Sequence, residues 1–395
     1  AKICPEQMGW FPEKILPQLD AVILGMHAKK DNPELLAAQK MGLSVYSYPE
    51  FIAQYAQNKT RVVIAGSHGK TTISAMVLHV LNYHQKPVDY MIGAQLEGFE
   101  NSVFLSEDNE FIVLEGDEYL SSPIDSRPKF HHYKPQIALI SGIAWDHVNV
   151  FKTLSDYNHQ FELFIDSITA GGILVYNKED QKLCEIVRAS QNTIRKEPYD
   201  ILEHSVSGGM TYLETDEGAI PLGIFGKHNL SNLSGAKWLC QLMGVDEDDF
   251  YQAIGNFRGA SKRLEQLTAG KTSRLFKDFA HAPSKVKATT QAVKEQFADQ
   301  KLMACLELHT YSSLEPSFLV HYQNSLEKAD IPIVFFDPEA LKIKNRTPIS
   351  PQEIIDAMGR SDLIVFTRPD DLNEFLLVQE YEDTVLLMML SLIHI

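Results

Sequence analysis

Short apolar runs alternate with longer mixed stretches along the chain, the pattern of strands and helices in an α/β fold. Ala21–Gly25 and Leu43–Tyr46 read as strands of an open sheet. Asn32-Pro33-Glu34 opens a helix between them, with Asn at the N-cap and Pro at the first helical position, and Pro49-Glu50 starts another. From residue 61 the alternation resumes. Arg61–Ala65 is β-branched and apolar, a buried strand, and Ile73–Leu81 reads as a helix. Phe111–Leu114, Ile137–Ile140 and Gly172–Tyr176 are further strands. Residues 200–225 read as a β meander turning at Gly208-Gly209, and 233–243 as a helical stretch. A second α/β run starts at Leu275–Asp278 and continues through strands at Leu302–Leu306, Ile333–Phe336, Leu363–Phe366 and Thr384–Met389. A boundary falls near 258–262, and no internal repeat or low-complexity segment interrupts the pattern.

Composition narrows the function classes. At 395 residues with 44% hydrophobic residues, the chain suits two or three domains with real cores. Its formal charge of −16 argues against nucleic-acid or anionic-membrane partners. No apolar run reaches membrane-spanning length and no signal peptide is visible. Cys4, Cys184, Cys240 and Cys305 are far apart without a CxxC pair, and read as reduced thiols of a cytosolic, cytoplasmic protein. The chain opens on Ala1 and closes on the apolar run Val385–Ile395, so both ends read as cut or altered. Oligomeric state is not legible.

The chemistry centres on Gly66-Ser67-His68-Gly69-Lys70-Thr71-Thr72, between a strand and a helix. Glycines there let backbone N–H groups approach an anion, and the helix N-terminus adds its positive end. Lys70 is placed to reach the β- and γ-phosphates of a nucleotide and the Thr71 hydroxyl to hold Mg²⁺. The first glycine stands three residues before the second rather than five, a short variant of the Walker pattern. Glu115 and His147 both follow predicted strands and are candidate Mg²⁺ ligands. The carboxylate is the stronger case, and His147 alone also fits a structural histidine. Asp117 and Glu118 read as solvated groups or as orienting a helix start. His228, Asn229 and Asn232 have the i, i+1, i+4 spacing of one helical face meeting a base edge, with N-capping by Asn229 the plainer alternative. Asp278 is a candidate for a ribose hydroxyl or a phosphate, and Arg263 for neutralising a transferring phosphoryl group. Taken singly, either also fits a structural role.

Six motifs in order carry a family resemblance: Met8–Glu13, Gly66–Thr72, Glu115–Tyr119, Asp146-His147, Gly226–Asn232 and Glu307–Ser313. Over nearly all of residues 5–389 the chain resembles the Mur ligases, ATP-dependent amide-forming enzymes of peptidoglycan synthesis. The resemblance implies an α/β, three-domain architecture with a P-loop central domain and a Rossmann-like C-terminal domain. On this chain that gives 1–57 as a remnant of the UDP-sugar-binding domain, 58–258 as the ATP-binding domain and 259–395 as the C-terminal domain. By motif position, Gly66–Thr72 would bind phosphates, Thr71 with Glu115 one Mg²⁺, and Glu115 with His147 a second. His228, Asn229 and Asn232 would meet adenine, and Arg263 and Asp278 the nucleotide from the hinge and C-terminal side.

Within the family, the murein-peptide branch matches best, which joins L-alanyl-γ-D-glutamyl-meso-diaminopimelate to UDP-N-acetylmuramate. Addition of L-alanine is the alternative. Residues 306–326 contain no Lys or Arg, so Lys342, Lys344, Arg346 and Arg368 become the candidates for binding the tripeptide carboxylates. No lysine lies between Lys152 and Lys178, where other branches carry a carbamylated one. Gly116 replaces the family's usual Ala, the N-terminal glycine-rich UDP-binding turn is absent, and the tail Leu390–Ile395 departs from the usual Ser/Gly-rich ending. Poor UDP-sugar binding is expected on that account. Folylpolyglutamate synthesis is an outside enzyme reading, and a nucleotide-binding regulator or inactive fragment is the reading of another class.

Overall fold

Strand Thr60–Ala65 is buried on both faces, and its alternation explains the sheet around it. Val62 and Ile64 point into one apolar layer, Val63 and Ala65 into the other. The computed structural model describes residues 9–390 except 27, 94, 95, 97, 147–149, 261, 262, 311 and 344–346. Its first elements are strands β1 (Val22–Leu24) and β2 (Val45–Ser47), a parallel pair, with helices α1 (Pro33–Lys40) and α2 (Tyr48–Tyr55). Both helices start as the residues dictate. Asn32 accepts from the backbone N–H groups of Glu34 and Leu35, and Ser47 forms a capping box with Glu50.

A seven-stranded sheet follows, in the order β11-β10-β9-β3-β6-β4-β5. Its strands are β3 (Thr60–Ala65), β4 (Asp89–Met91), β5 (Val103–Phe104), β6 (Phe111–Gly116), β9 (Ile137–Ile140), β10 (Ile173–Asn177) and β11 (Arg195–Tyr199). All pairs are parallel except β4 with β5. A hairpin of β7 (Leu120–Ser122) and β8 (Asp125–Pro128) leaves the end of β6. Helices α3 (Lys70–Tyr83), α6 (Lys227–Leu242) and α7 (Glu247–Ile254) cover one face. Helices α4 (Leu154–Asp166) and α5 (Gln181–Ala189) cover the other with α2, where Phe130 stacks on Phe164 at 4.7 Å. Register brings the chemistry to one edge. Ile64 pairs with Glu115 and Ala65 with Ile140, so the Gly66–Thr72 loop, Glu115 and the segment after β9 emerge together.

The meander expected at 200–225 is a three-stranded antiparallel sheet of β12 (His204–Ser207), β13 (Met210–Thr215) and β14 (Gly218–Leu222). The next helix departs from expectation. It begins at Lys227, not 233, so the polar stretch 227–232 is its first turns.

The last sheet is six-stranded, ordered β15-β16-β20-β17-β18-β19. Its members are β15 (Glu265–Ala269), β16 (Arg274–Asp278), β17 (Lys301–Glu307), β18 (Ile331–Phe335), β19 (Ile364–Phe366) and β20 (Thr384–Met389). All run parallel except the edge strand β15. Helix α8 (Pro283–Gln296) packs on one face with α9 (Pro316–Leu319) and α11 (Pro351–Met358). Helix α12 (Pro369–Leu377) lies on the other through Leu372, Phe375 and Leu376, and α10 (Pro338–Ile343) follows β18. The final strand β20 sits between β16 and β17, with Val385, Leu387 and Met389 buried in one layer.

The three-stranded sheet and the segment after it meet β16 and the end of α8 through polar and aromatic contacts. Phe225 touches Phe276 and Phe297 edge-on at 5.5 and 5.7 Å. Gln296 accepts from Thr211 Oγ1 at 2.9 Å and donates to the Gly209 carbonyl at 2.8 Å. Cys184, Cys240 and Cys305 are free thiols, while Cys4 lies outside the described residues. Among the described residues no helix is long and apolar enough to cross a membrane.

Candidate active site

The Gly66–Thr72 loop is shaped by two close approaches. A Cβ on Gly66 would lie 2.2 Å from Ser141 Oγ, and one on Gly69 2.2 Å from Asn232 Oδ1. Gly69 also has φ +81°, a conformation that side-chain-bearing residues rarely adopt. It stands at the N-cap of α3 with no side chain capping the helix, so the first N–H groups face the loop's concavity.

Glu115 is oriented from both sides. Its Oε1 accepts from Thr71 Oγ1 at 2.8 Å and its Oε2 from the Gly93 N–H at 2.7 Å. A hydroxyl and a carboxylate held together form the hard-oxygen donor set that Mg²⁺ takes, so these residues fit that ion. His147 lies outside the described residues.

Lys70 donates to Glu118 Oε2 and to the Gly66 carbonyl, both at 2.6 Å. Burial alone would lower its ammonium, but Glu118, with Asp117 and Glu115, outweighs burial and holds it above the ordinary lysine value. Glu118 is thus neither solvated nor a helix start; its side chain is 1% exposed. The Tyr157 hydroxyl donates to Glu118 Oε1 at 3.0 Å. That leaves Ser67 Oγ to donate to Tyr157, 2.7 Å away, while accepting from the Ala144 N–H at 2.9 Å. Asp117 is ion-paired with Lys129.

The opposite wall comes from α6 and the six-stranded sheet. His228, Asn229 and Asn232 share the first turns of α6, and the Asn229 side chain donates to the Phe225 carbonyl at 3.0 Å rather than capping the helix. Asp278 ends β16, 6% exposed, and accepts from Thr289 Oγ1 at 2.9 Å. The Arg263 guanidinium lies 5.3 Å from the centre of the Phe279 ring. Ser67–Thr72, Glu115, His228, Asn229, Asn232, Arg263 and Asp278 all line one cavity of about 190 Å³. Gly66 is not among its lining residues. A wider cleft of about 1160 Å³ shares Thr72, Asn229 and Arg263 and is walled by Phe99, Phe225, Phe276 and Phe297.

Burial, reinforced by Lys285, pushes His68 down to about 3, and the same two causes push His281 down to about 3. Burial also lowers His228, against the pull of Asp278. Both His68 and His281 are therefore neutral at pH 7. Lys285 lines the cavity too, though sequence reasoning passed over it. The available signal was a cation in the first turn of a helix opened by Pro283, where the helix dipole disfavours it.

The Glu307–Ser313 stretch follows β17. Glu307 is buried, and His309 sits against Phe279 and His281 at 5.9 and 5.8 Å between ring centres. Of the basic candidates for this side, Lys344, Arg346 and the side chain of Lys342 lie outside the description. Arg368 is on the surface, 69% exposed and 4.0 Å from Asp371, rather than at the cavity.

Known proteins resemble this chain in sequence and in fold. Residues 64–240 match the Mur ligase middle domain. UDP-N-acetylmuramate–L-alanine ligase of Caldicellulosiruptor bescii is 31% identical over 348 residues, covering 85% of this chain and 74% of that protein. The enzyme of the same name from Persephonella marina is 30% identical over 322 residues, covering 80% and 68%. The fold matches UDP-N-acetylmuramate–alanine ligase from Thermotoga maritima at a TM-score of 0.70, with 20% identity over 95% of this chain and 83% of that one. It matches a murein peptide ligase from Psychrobacter arcticus at 0.64, with 21% identity over 96% and 85%. The chain belongs to the Mur ligase family, ATP-dependent ligases of peptidoglycan synthesis that form amide bonds.

Proposed function

We propose that this ligase activates the lactyl carboxylate of UDP-N-acetylmuramate with ATP and joins it to L-alanine. The observation that carries this reading is the convergence of Ser67–Thr72, Glu115, the α6 face and Arg263 with Asp278 on one cavity. A carboxylate oxygen attacks the γ-phosphorus, the bond to the β,γ-bridging oxygen breaks and ADP leaves. The amine nitrogen then attacks the acyl carbon, and the tetrahedral intermediate expels phosphate as the nitrogen loses its proton. The chain's part is positioning and charge neutralisation. The uncapped start of α3 and Lys70 hold phosphates, Arg263 and Asp278 hold the nucleotide from the far wall, and His228, Asn229 and Asn232 meet the base. Thr71 and Glu115 would hold Mg²⁺, which offsets phosphate charge when bound, and His147 is proposed as a further ligand. In this reading 1–57, 58–258 and 259–395 act as sugar-side, ATP and C-terminal domains of a cytoplasmic enzyme.

The choice of amine follows the two sequence relatives named above, both L-alanine ligases, while the murein peptide ligase is a likeness of fold at 21% identity. That moves the tripeptide expected from the sequence to second place. What favours the tripeptide is the stretch Glu307–Ser313, which resembles the tripeptide-adding branch and lacks the arginines of the alanine-adding one. ADP release with UDP-N-acetylmuramate and each amine at matched concentration is the test. The proposal expects release with L-alanine to exceed release with the tripeptide by about tenfold in kcat/KM, about 1.4 kcal/mol. Preference for the tripeptide would install the second reading, and release that ignores both amines would sink the ligation chemistry.

A further inference from the structure

Among the described residues, Lys285 is a cation held only by one long ion pair, to Asp146. It is the third residue of α8, a 14-residue helix that begins Pro283-Ser284-Lys285 with no side-chain cap and no acidic residue in its first turn. A positive charge there opposes the helix dipole. The side chain is 24% exposed, and its nearest carboxylate, Asp146, stands 3.9 Å away, beyond hydrogen-bond reach. Among the described residues no hydrogen bond holds its three donors. Lys70, by contrast, is tied to Glu118 at 2.6 Å.

The surroundings point the ammonium at the phosphate loop. Lys285 lines the same cavity as Ser67–Thr72. Ser284, its neighbour, shares a 2.7 Å hydrogen bond with His68 Nε2 at the loop's tip, and among the described residues the buried His68 Nδ1 has no partner. The loop and the first turn of α8 are thereby held on two sides of one space. Burial, Lys70 and Arg263 all push the Lys285 ammonium below its ordinary value, and Asp146 and Glu118 pull it back. An anion placed between Lys70 and Lys285 relieves both the desolvation and the repulsion.

We infer that Lys285 is a second phosphate-binding residue, engaging the terminal phosphoryl group of a nucleoside triphosphate from the side opposite Lys70. The inference rests on the nucleotide reading of the cavity proposed above. It makes the C-terminal sheet a contributor of positive charge to the group being transferred.

Calorimetry on the full chain tests it, with the β,γ-imido analogue of ATP and with ADP as probes. Lys285→Gln should weaken the analogue about tenfold or more and ADP less than about threefold, as for a lost charge-assisted contact. Lys285→Arg should restore the analogue to within about threefold of wild type. Asp146→Asn supplies an independent arm if Lys285→Gln does not fold. A phosphate-binding Lys285 freed from Asp146 keeps or tightens its grip on the analogue, whereas a lysine that only latches the two sheets together through Asp146 loses it. Equal losses for both nucleotides in Lys285→Gln, no loss, or a weakened analogue in Asp146→Asn would each overturn the role. Wild type binding neither nucleotide would instead remove the nucleotide reading itself.

Discussion

Thr71 donates its hydroxyl to Glu115 Oε1 at 2.8 Å, joining the first turn of α3 to the end of β6. With the Gly93 N–H on the other oxygen, the carboxylate is fixed before any ligand arrives. Glu115→Gln can keep both contacts, its carbonyl toward Gly93 and its amide toward Thr71 Oγ1. The variant should therefore melt close to wild type yet lose about 10²-fold or more in ADP release, because a neutral amide is a poor Mg²⁺ ligand. Rates measured across a Mg²⁺ series, beside a thermal melt, check this. Near-normal turnover with an unchanged Mg²⁺ dependence would remove Glu115 from the metal site.

Glu118 is expected to behave differently, because its partner is a charge. Glu118→Gln leaves the Lys70 ammonium buried without its counterion, at a cost of about 3 kcal/mol in stability. ATP brings an anion to the same place. Saturating ATP should thus raise the melting temperature of the variant by more than that of wild type. An equal or smaller rise means that Glu118 does not balance Lys70.

These two carboxylates also mark how far the sequence could be read. Glu115 was legible because it ends an apolar strand level with a glycine loop, a local pattern. Glu118 was not, since its burial depends on Tyr157, 39 residues further on, reaching across from α4. The same division runs through the fold. Thr384–Met389 is plainly a strand by its apolar run, but its place between β16 and β17 follows from non-local pairing. The start of α6 was misread because Lys227–Asn232 is polar, and polar residues at the head of a helix resemble a loop. They are helical and partly buried because Asn232 packs against Gly69 and Asn229 donates to the Phe225 carbonyl. The β7–β8 hairpin carries too little apolar periodicity to register as strands.

Gly69→Ala tests the cradle without touching a charge. The new methyl would meet Asn232 Oδ1 at 2.2 Å, in a backbone conformation that alanine occupies only at a cost of about 1–2 kcal/mol. Either Asn232 turns away or the loop opens, and both spoil the meeting of loop and α6. ATP affinity should fall about tenfold or more while the chain remains folded. Calorimetry that finds unchanged affinity would show that the loop and Asn232 do not act together on the nucleotide.

The last expectation concerns acid. His68 faces Lys285, Asp146 and Lys70, and His281 faces Lys285, Asp146 and His309. Each is pushed from 6.5 down to about 3 by burial first and Lys285 next, so each stays neutral in the folded chain down to about pH 3. In the unfolded chain both take up a proton as pH falls through 6.5. Between those two values the unfolded state binds more protons, so stability rises with pH and is lost on acidification. The slope approaches about 1.4 kcal/mol per pH unit for each histidine once pH is well below 6.5. Urea midpoints at pH 7.5, 6.5 and 5.5 should therefore drop on the acid side, and His68→Gln, which cannot titrate, should drop less. Equal slopes in the two proteins would mean that His68 is not held neutral at the junction of the loop and α8. A wild-type midpoint that climbs from pH 6.5 to 5.5 would reverse the sign and dismiss both histidines as the source.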